Sequence, residues 1–417
     1  MNLYRLELKR VCKTRMTAIL LAIALVLAVV MAYLPVTFIG WTELDASGNE
    51  VRYTGLKAIR KRQEQQVSGT ITPDVMQEAL EAYQRVYLQY DASSINDIPV
   101  EIFYKELARY QPLVNNAKEA FADPKTGMAP GVMGLTAEDM QNFYSQLPKR
   151  LESVIWLEQS GKPGYEQAQA IAQKKFDAVQ KPFTYSFGVS SDAMDYQTLL
   201  SLLLTLLCAV IAAPVFASDA QTGAQDIQLC TKNGGLRLAA AKLAAAFSIT
   251  GAAYLLYGVV WILVTNALLG WESTQTSVQW LFSVTSLLPY TVGQMEWVML
   301  VANFLIFFAE VAFVLMASVW AKNNLTALSV ALISVVAPLI VYMVVPGSFG
   351  EWLSTLIPAG GIGLSNALLY KMIGFDFLYA GGHAFFQADV LLASAPIKIV
   401  LLVGLAIWGY LRKTKVA

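Results

Sequence analysis

Long apolar segments without charged side chains constrain the fold of this chain more than any other feature. The 24 residues from Met16 to Ile39 contain no Asp, Glu, Lys or Arg, and a helix rising about 1.5 Å per residue would carry them across a hydrocarbon core of about 30 Å. A segment that crosses lipid must satisfy its own backbone hydrogen bonds, so a helix is expected. We predict an all-α polytopic membrane protein with six transmembrane helices, at residues 16–41, 196–218, 243–271, 297–321, 325–345 and 390–411.

The overall composition agrees with a membrane protein and excludes several soluble classes. Charged residues make up 14% of the chain and hydrophobic residues 56%, whereas soluble domains carry about 25% charged residues. The 30 Lys and Arg balance the 30 Asp and Glu, so no net positive charge would attract nucleic acid. Thirty-seven of these charges lie between Thr42 and Asp195. We predict that residues 42–195 form a separate, mainly helical domain in water.

The distribution of Lys and Arg between the connecting segments predicts the orientation of the chain. Five cations precede the first span, more follow the second and sixth spans, and the connection 272–296 contains none. Cytoplasmic segments carry the excess of Lys and Arg, so we expect both termini in the cytoplasm and the domain 42–195 outside it. Residues 1–15 are expected to form a cytoplasmic helix at the lipid interface, and residues 412–417 a cytoplasmic tail.

Helical periodicity predicts the secondary structure of the external domain. Thr72 followed by Pro73 is typical of a helix start, and Thr136 begins a capping-box pattern. Pro112 is expected to kink or divide the second helical stripe and Pro148 to interrupt the third. Aromatic stripes at helical spacing are more often core than exposed recognition surface, and we interpret them as core. The four stripes cover residues 76–90, 103–121, 136–155 and 165–179.

Residue patterns that would indicate catalysis are missing from the sequence. His383 is the one histidine, which excludes multi-histidine metal sites and leaves any Ser/His/Asp arrangement dependent on this residue. The glycines after Lys232 and Asn233 lack the spacing and the hydroxyl of a phosphate-binding loop. We predict no catalytic residue, no metal site and no cofactor in this chain. If the protein uses ATP, another chain binds it.

The stretch between the second and third spans carries the most informative pattern. An acidic residue ends the second span, a glycine follows four positions later, and a basic residue and a lysine lead into the third span. These residues are Asp219, Gly223, Arg237 and Lys242. With the six-span plan and the basic N-terminal segment, this loop resembles that of ABC-2 type ABC transporter permeases. Asp stands where Glu is commoner in that family, and Lys-Asn-Gly-Gly where a Ser/Thr-Pro turn is usual.

The resemblance implies a transport function and a set of partners. It implies the membrane subunit of an exporter in a bacterial cell membrane, with a second permease copy or paralogue and an ABC ATPase subunit that binds ATP and Mg. Segment 219–242 would couple the ATPase to the spans: Ile227 and Leu229 would enter a groove of the partner, while the charged residues of the segment fix its orientation or meet lipid headgroups. An ordinary connection at the membrane surface is the alternative interpretation of this segment.

The transported molecule and the class of function both stay open on the sequence. The apolar spans favour an amphipathic peptide or a lipid-like or drug-like molecule as cargo. A different class would be a polytopic sensor or scaffold, whose external domain binds a peptide or an envelope component.

One carboxylate lies inside the fourth predicted span. Glu310 would be costly in lipid, by about 2.5–3.5 kcal/mol, so it is expected to face protein or water. Asn303 lies seven residues earlier, on the same helical face. Three roles remain open for this polar stripe: a structural hydrogen-bonded pair, the lining of a transport path or dimer interface, and proton coupling.

The outer segment 346–389 is broken by glycine and proline. Pro358, Gly360 and Gly361 precede an apolar run that is too short for a crossing. A re-entrant segment is predicted, because irregular backbone at membrane depth must be covered by protein or water. In the family resembled, such an element closes the outer end of the pathway.

Overall fold

The computed structural model describes residues 3–44 and 50–414. Six of its helices are long and apolar enough to cross a membrane, which confirms the predicted all-α polytopic membrane protein. We call these helices spans 1 to 6. In chain order they are Arg15–Phe38, Ser191–Thr222, Leu236–Leu269, Val292–Trp320, Asn324–Val344 and Gln387–Lys413.

Several spans are longer than the apolar segments suggest. Span 3 begins at Leu236 rather than at residue 243, so that Lys242 lies inside the helix. Span 4 begins at Val292 instead of residue 297, which places Glu296 in its second turn. The sequence predicted loops at the beginning of both spans because of the charged side chains of Lys242 and Glu296. They are tolerated in the helices because each is buried beside polar groups of neighbouring spans.

Contacts between helix ends define two faces of the bundle. Arg10, in the helix Leu3–Cys12, bonds to Asp219 at the end of span 2, and Lys413 of span 6 donates to the carbonyl oxygen of Val319, at the end of span 4, at 2.6 Å. Both ends of the described chain therefore lie on one side, which we call the N-terminal face. The domain between spans 1 and 2 lies on the other side, the insert face, as six alternating crossings require.

The domain between spans 1 and 2, which we call the insert, is mainly helical. A hairpin connects it to span 1, with strand Gly40–Leu44 antiparallel to Glu50–Thr54 and Trp41 opposite Tyr53. A second short antiparallel pair joins Gly69–Thr70 to Thr184–Tyr185. Its longer helices are Leu56–Gln65, Pro73–Gln89, Gln111–Ala120, Ala137–Gln141, Phe143–Gln159 and Tyr165–Asp177, and its short helical turns are Ile95–Asp97, Val100–Ile102, Phe103–Leu107, Ala108–Tyr110 and Val132–Gly134.

The helix signals of the insert are confirmed except at one proline. Thr72 caps its helix by accepting a hydrogen bond from the backbone N–H of Val75, and Thr136 forms the expected capping box. Pro112 stands in the first turn of a new helix, as expected. The interruption predicted at Pro148 is wrong: the third stripe breaks at Asn142, between Ala137–Gln141 and Phe143–Gln159, and the proline lies inside the second of these helices. Pro148 lies in the second turn of this helix, where it leaves the carbonyl oxygen of Tyr144 without an N–H donor. Burial of the apolar side chains of the helix outweighs the loss of this hydrogen bond.

The aromatic stripes of the insert form a core that continues into the loop between spans 3 and 4. The rings of Phe143 and Phe183 are fully buried, and each meets the ring of Trp280 edge-on at centroid distances of 6.4 and 6.3 Å. Backbone bonds strengthen this contact, since Ser277 donates its N–H to the carbonyl of Thr184 at 2.9 Å. The insert is therefore packed on the bundle.

The remaining elements of the insert face are Trp271–Gln275, Val278–Leu281, Gly347–Leu356, Leu368–Ile373 and the paired strands Phe377–Ala380 and His383–Phe386.

The capping box gives a direct test of the insert's helix starts. Thr136→Ala removes a hydroxyl that accepts from the N–H of Asp139 at 3.1 Å, and we expect the free energy of local unfolding to fall by about 1 kcal/mol. Hydrogen exchange of the amides of Ala137–Gln141 measures this loss. Thr136→Ser, which keeps the hydroxyl, is the control. Equal exchange in the two variants would contradict a capping role.

Candidate coupling site

An ionic cluster, buried except for Arg10, joins three helices at the N-terminal face. Asp219 is 7% exposed and Lys242 1% exposed. Lys242 donates a hydrogen bond to Asp219 Oδ2, and Arg10 Nη1 donates to Asp219 Oδ1 at 2.8 Å. Arg10 also lies 2.9 Å from Glu7 and donates to the carbonyl oxygen of Val215 at 3.0 Å. The cluster thus balances two cations against two carboxylates.

Helix geometry explains how these side chains meet. Glu7 and Arg10 are three residues apart and therefore neighbours on the helix Leu3–Cys12. Val215 and Asp219 are four residues apart on span 2, so one guanidinium reaches both. Lys242 approaches from span 3 and lies 5.6 Å from the centroid of the Phe216 ring. Moving one of these helices away would leave a buried charge uncompensated, which is strongly destabilising. The cluster therefore fixes the three helices relative to one another.

The segment after Asp219 turns sharply and exposes apolar side chains. Gly223 has φ +71°, a left-handed conformation that glycine adopts without steric cost, and it separates the end of span 2 from the short helix Ala224–Leu229. Ile227 on that helix is 74% exposed, whereas Leu229 is half-buried against the bundle. Ile227 is therefore accessible from the N-terminal face.

Not all the residues predicted for coupling come together. The structure joins Asp219 and Lys242, but Arg237 is exposed and donates instead to the side chain of Asn233, at 3.2 Å. The sequence prediction missed Glu7 and Arg10. Glu7 was a usable signal, since it is the one acidic residue among the cations of the N-terminal segment, three residues before Arg10.

A groove beside the coupling segment is open at the N-terminal face. Its volume is about 570 Å³, and its walls come from the short helix Ala224–Leu229 and from the ends of spans 4 and 6. Basic side chains of span 6 face an acidic one of the short helix across it. The lining residues are Gln225, Asp226, Leu229, Trp320, Gly409, Arg412 and Lys413.

The polar stripe of span 4 is buried between helices. Glu310 is fully buried and accepts a hydrogen bond from the hydroxyl of Ser334 in span 5. Asn303 is also buried, but seven residues correspond to about 10.5 Å along a helix, so the two side chains share a face without touching. The contact with Ser334 favours a structural link between spans 4 and 5 among the roles considered for Glu310.

The outer segment enters the bundle from the insert face and returns to it. After the helix Gly347–Leu356 the chain turns at Pro358, Gly360 and Gly361. Gly361 has φ +88°, and a Cβ there would lie 3.1 Å from Ile306, midway along span 4. Lys398 of span 6 holds the turn by donating to the carbonyl oxygens of Thr355 at 3.0 Å and Ile357 at 3.2 Å.

A cleft of about 470 Å³ separates the insert from the outer loops. Ser283 donates a hydrogen bond to Glu119 at 2.5 Å, and burial raises the pKa of the Glu119 carboxyl. Burial also raises the pKa of Glu158 and lowers that of Arg150, which line the same cleft. The cleft at the insert face therefore carries both charge signs.

Comparison with known proteins adds no relative to this picture. No family model, no curated protein and no solved structure matches the chain. The class that the fold defines is a multi-pass membrane protein with six crossings, a helical insert and a buried ionic cluster at the opposite face.

The ionic cluster predicts a large effect of a small substitution. Asp219→Asn removes the carboxylate that balances Lys242 and Arg10, and we expect the loss of about 3–5 kcal/mol that follows from leaving a buried charge unpaired. The thermal unfolding midpoint in detergent should drop sharply. Asp226→Asn makes the same charge change at an exposed position and serves as the control. Equal midpoints for the two variants would rule out the buried cluster as a source of stability.

The cleft predicts a pH dependence. Because the pKa of Glu119 is raised in the folded protein, folding binds a proton between the ordinary and the raised value, and stability falls as pH rises through that window. Glu119→Gln should therefore raise the unfolding midpoint above the window and change it little below about pH 4. Glu64→Gln, at an exposed carboxylate, should show no such trend. A constant difference between Glu119→Gln and wild type across pH would contradict the proposed cause.

Proposed function

We propose that this chain is the permease subunit of an ATP-driven ABC-2 type exporter, which moves an amphipathic peptide, lipid-like or drug-like molecule across the cell membrane. In this proposal the N-terminal face is cytoplasmic and the insert is outside the cell. The Lys and Arg content of the short connecting segments supports that orientation. A bacterial plasma membrane is the proposed location.

The observation that carries the proposal is the link between a short helix with an exposed isoleucine and three helices joined by one carboxylate. Ile227 is available to a partner on the N-terminal face. The segment that bears it leads directly into spans 2 and 3, and Asp219 ties both spans to the helix Leu3–Cys12. A force applied by a partner to the short helix would therefore move these elements together rather than deform one loop.

The proposal assigns ATP chemistry to a separate chain. The sequence contains no phosphate-binding loop, so ATP and Mg would be bound by an ABC ATPase that docks on the coupling segment and in the neighbouring groove. A second permease copy or a paralogue would complete the transporter. Apolar side chains exposed along spans 5 and 6 support contact with lipids or with such a copy.

A sensor or scaffold is the second candidate function. It is favoured by the mixed-charge cleft between the insert and the outer loops, whose side chains of both signs suit a peptide or an envelope component. This function needs no nucleotide-binding partner, which separates the two candidates experimentally.

The test is purification of the tagged full-length chain from its native membrane in mild detergent, followed by mass spectrometry and an ATPase assay. Wild type should bring down an ABC ATPase. Ile227→Glu should reduce the recovered ATPase about ten-fold or more, because a carboxylate in an apolar contact costs more than about 1.4 kcal/mol. Gly223→Pro should do the same, since proline cannot adopt a positive φ.

The matched control places the same substitution on the opposite face. Ile95 is an exposed isoleucine of the insert, and Ile95→Glu should leave the recovered ATPase unchanged. Wild-type protein without any nucleotide-binding partner under several extraction conditions would overturn the transporter and favour the sensor or scaffold. Equal recovery of the ATPase with Ile227→Glu and Ile95→Glu would show that the coupling segment does not contact the ATPase.

A further inference from the structure

A buried polar cluster of a different kind lies at the insert-face ends of spans 2, 3 and 4. Gln197, Asn266 and Glu296 are 6%, 1% and 0% exposed, respectively. Asn266 Nδ2 donates to Glu296 Oε2 at 2.7 Å, and Gln197 Nε2 donates to the main-chain oxygen of Glu296 at 2.9 Å. Each of the three spans thus contributes one side chain to the same place.

The hydrogen bonds determine which way the two amides face. Asn266 Nδ2 has a second acceptor, the carbonyl oxygen of Ile262 at 3.0 Å. Turning either amide over would bring its oxygen against other oxygens and lose these bonds, so the nitrogen atoms must point toward Glu296 and Ile262. The groups left without a partner are therefore oxygens.

Three oxygen atoms of the cluster lack a donor. Gln197 Oε1, Asn266 Oδ1 and Glu296 Oε1 are buried without a hydrogen-bond partner among residues 3–44 and 50–414. Nor does any ion pair found in those ranges include Glu296. A buried carboxylate that contacts one amide, with a second amide on its main chain and three buried oxygens that accept no hydrogen bond, is a costly arrangement unless a positive charge lies near them.

We propose that Gln197, Asn266 and Glu296 bind an alkali-metal cation, sodium or potassium. Carboxylate and amide oxygens are the ligands that hard cations prefer. The charge of the site selects a monovalent ion, because one positive charge neutralises Glu296 whereas a divalent ion would leave a net buried charge. The bound ion joins spans 2, 3 and 4 just below the insert, at the end of the bundle opposite the ionic cluster of Asp219. This site is independent of the proposed transport function.

The experiment compares thermal unfolding of the full-length protein in NaCl, KCl and choline chloride at equal ionic strength, at pH 6 and pH 9. Sodium or potassium should raise the midpoint with a saturable concentration dependence, since a ligand that binds only the folded state stabilises it. The size of the shift in each salt distinguishes the two ions. Binding of radioactive sodium or rubidium, as a potassium analogue, should saturate at one ion per chain.

Three variants make the site identifiable. Glu296→Gln removes the charge with little change in volume and should abolish the shift. Gln197→Met removes one oxygen ligand, keeps the carboxylate and should raise the half-saturating cation concentration at least ten-fold, so the test stands even if Glu296→Gln does not fold. Glu310→Gln changes the other fully buried carboxylate of span 4 and should keep the wild-type shift.

Two outcomes would overturn the proposal. Equal midpoints in sodium, potassium and choline at both pH values would mean that no cation is bound. A midpoint that depends on pH but not on the cation, and loses that dependence in Glu296→Gln, would mean that Glu296 is protonated and donates to its neighbours instead.

Discussion

The contact of Asp219 with Lys242 and Arg10 is the interaction on which the N-terminal face depends. Lipid tails are as apolar as the spans themselves, so the hydrophobic effect does little to hold one span against another. Polar contacts between helices do this instead, and here one carboxylate joins span 2, span 3 and the helix Leu3–Cys12. The coupling segment begins at Asp219, so the short helix that bears the exposed Ile227 is attached to a fixed part of the bundle.

Polar pairs recur along the bundle at different depths. Glu310 links span 4 to Ser334 of span 5, and Lys398 of span 6 holds the turn of the outer segment through the carbonyl oxygens of Thr355 and Ile357. In both cases a polar group that would be costly in lipid is turned toward another element of the protein. The bundle is thereby specified at both ends and near its middle by a small number of side chains.

The architecture could be predicted from the sequence because membrane crossing depends on local composition. Long apolar runs predict all six spans, although the fourth contains Glu310 and the sixth contains Lys398, and the caps at Thr72 and Thr136 predict two helix starts in the insert. The first residues of spans 3 and 4 could not be predicted, because the charged residues Lys242 and Glu296 are typical of loops in a membrane protein. Their tolerance within a helix depends on partners from other spans.

The candidate sites were only partly predictable for the same reason. Asp219 and Lys242 stood out through the spacing of one loop, whereas their partner Arg10 was one of several cations in the N-terminal segment. The amides that surround a buried carboxylate at the other end gave no local signal, because Gln197 and Asn266 look like ordinary polar residues near the ends of apolar runs. A single sequence does not show which distant residues meet.

The position of Arg10 has a consequence for synthesis of the chain. Arg10 and Asp219 are 209 residues apart, and the whole insert, which ends on the opposite side of the bundle, is made between them. At roughly 5–20 residues per second, the ribosome needs about 10 to 40 s to reach Asp219 after completing Arg10. During this time the helix Leu3–Cys12 lacks its contact with span 2, and its cations and apolar residues suit it to lie among lipid headgroups. This helix, which precedes all six spans in the sequence, therefore reaches its contact with Asp219 only after span 1, the insert and span 2 have been synthesised.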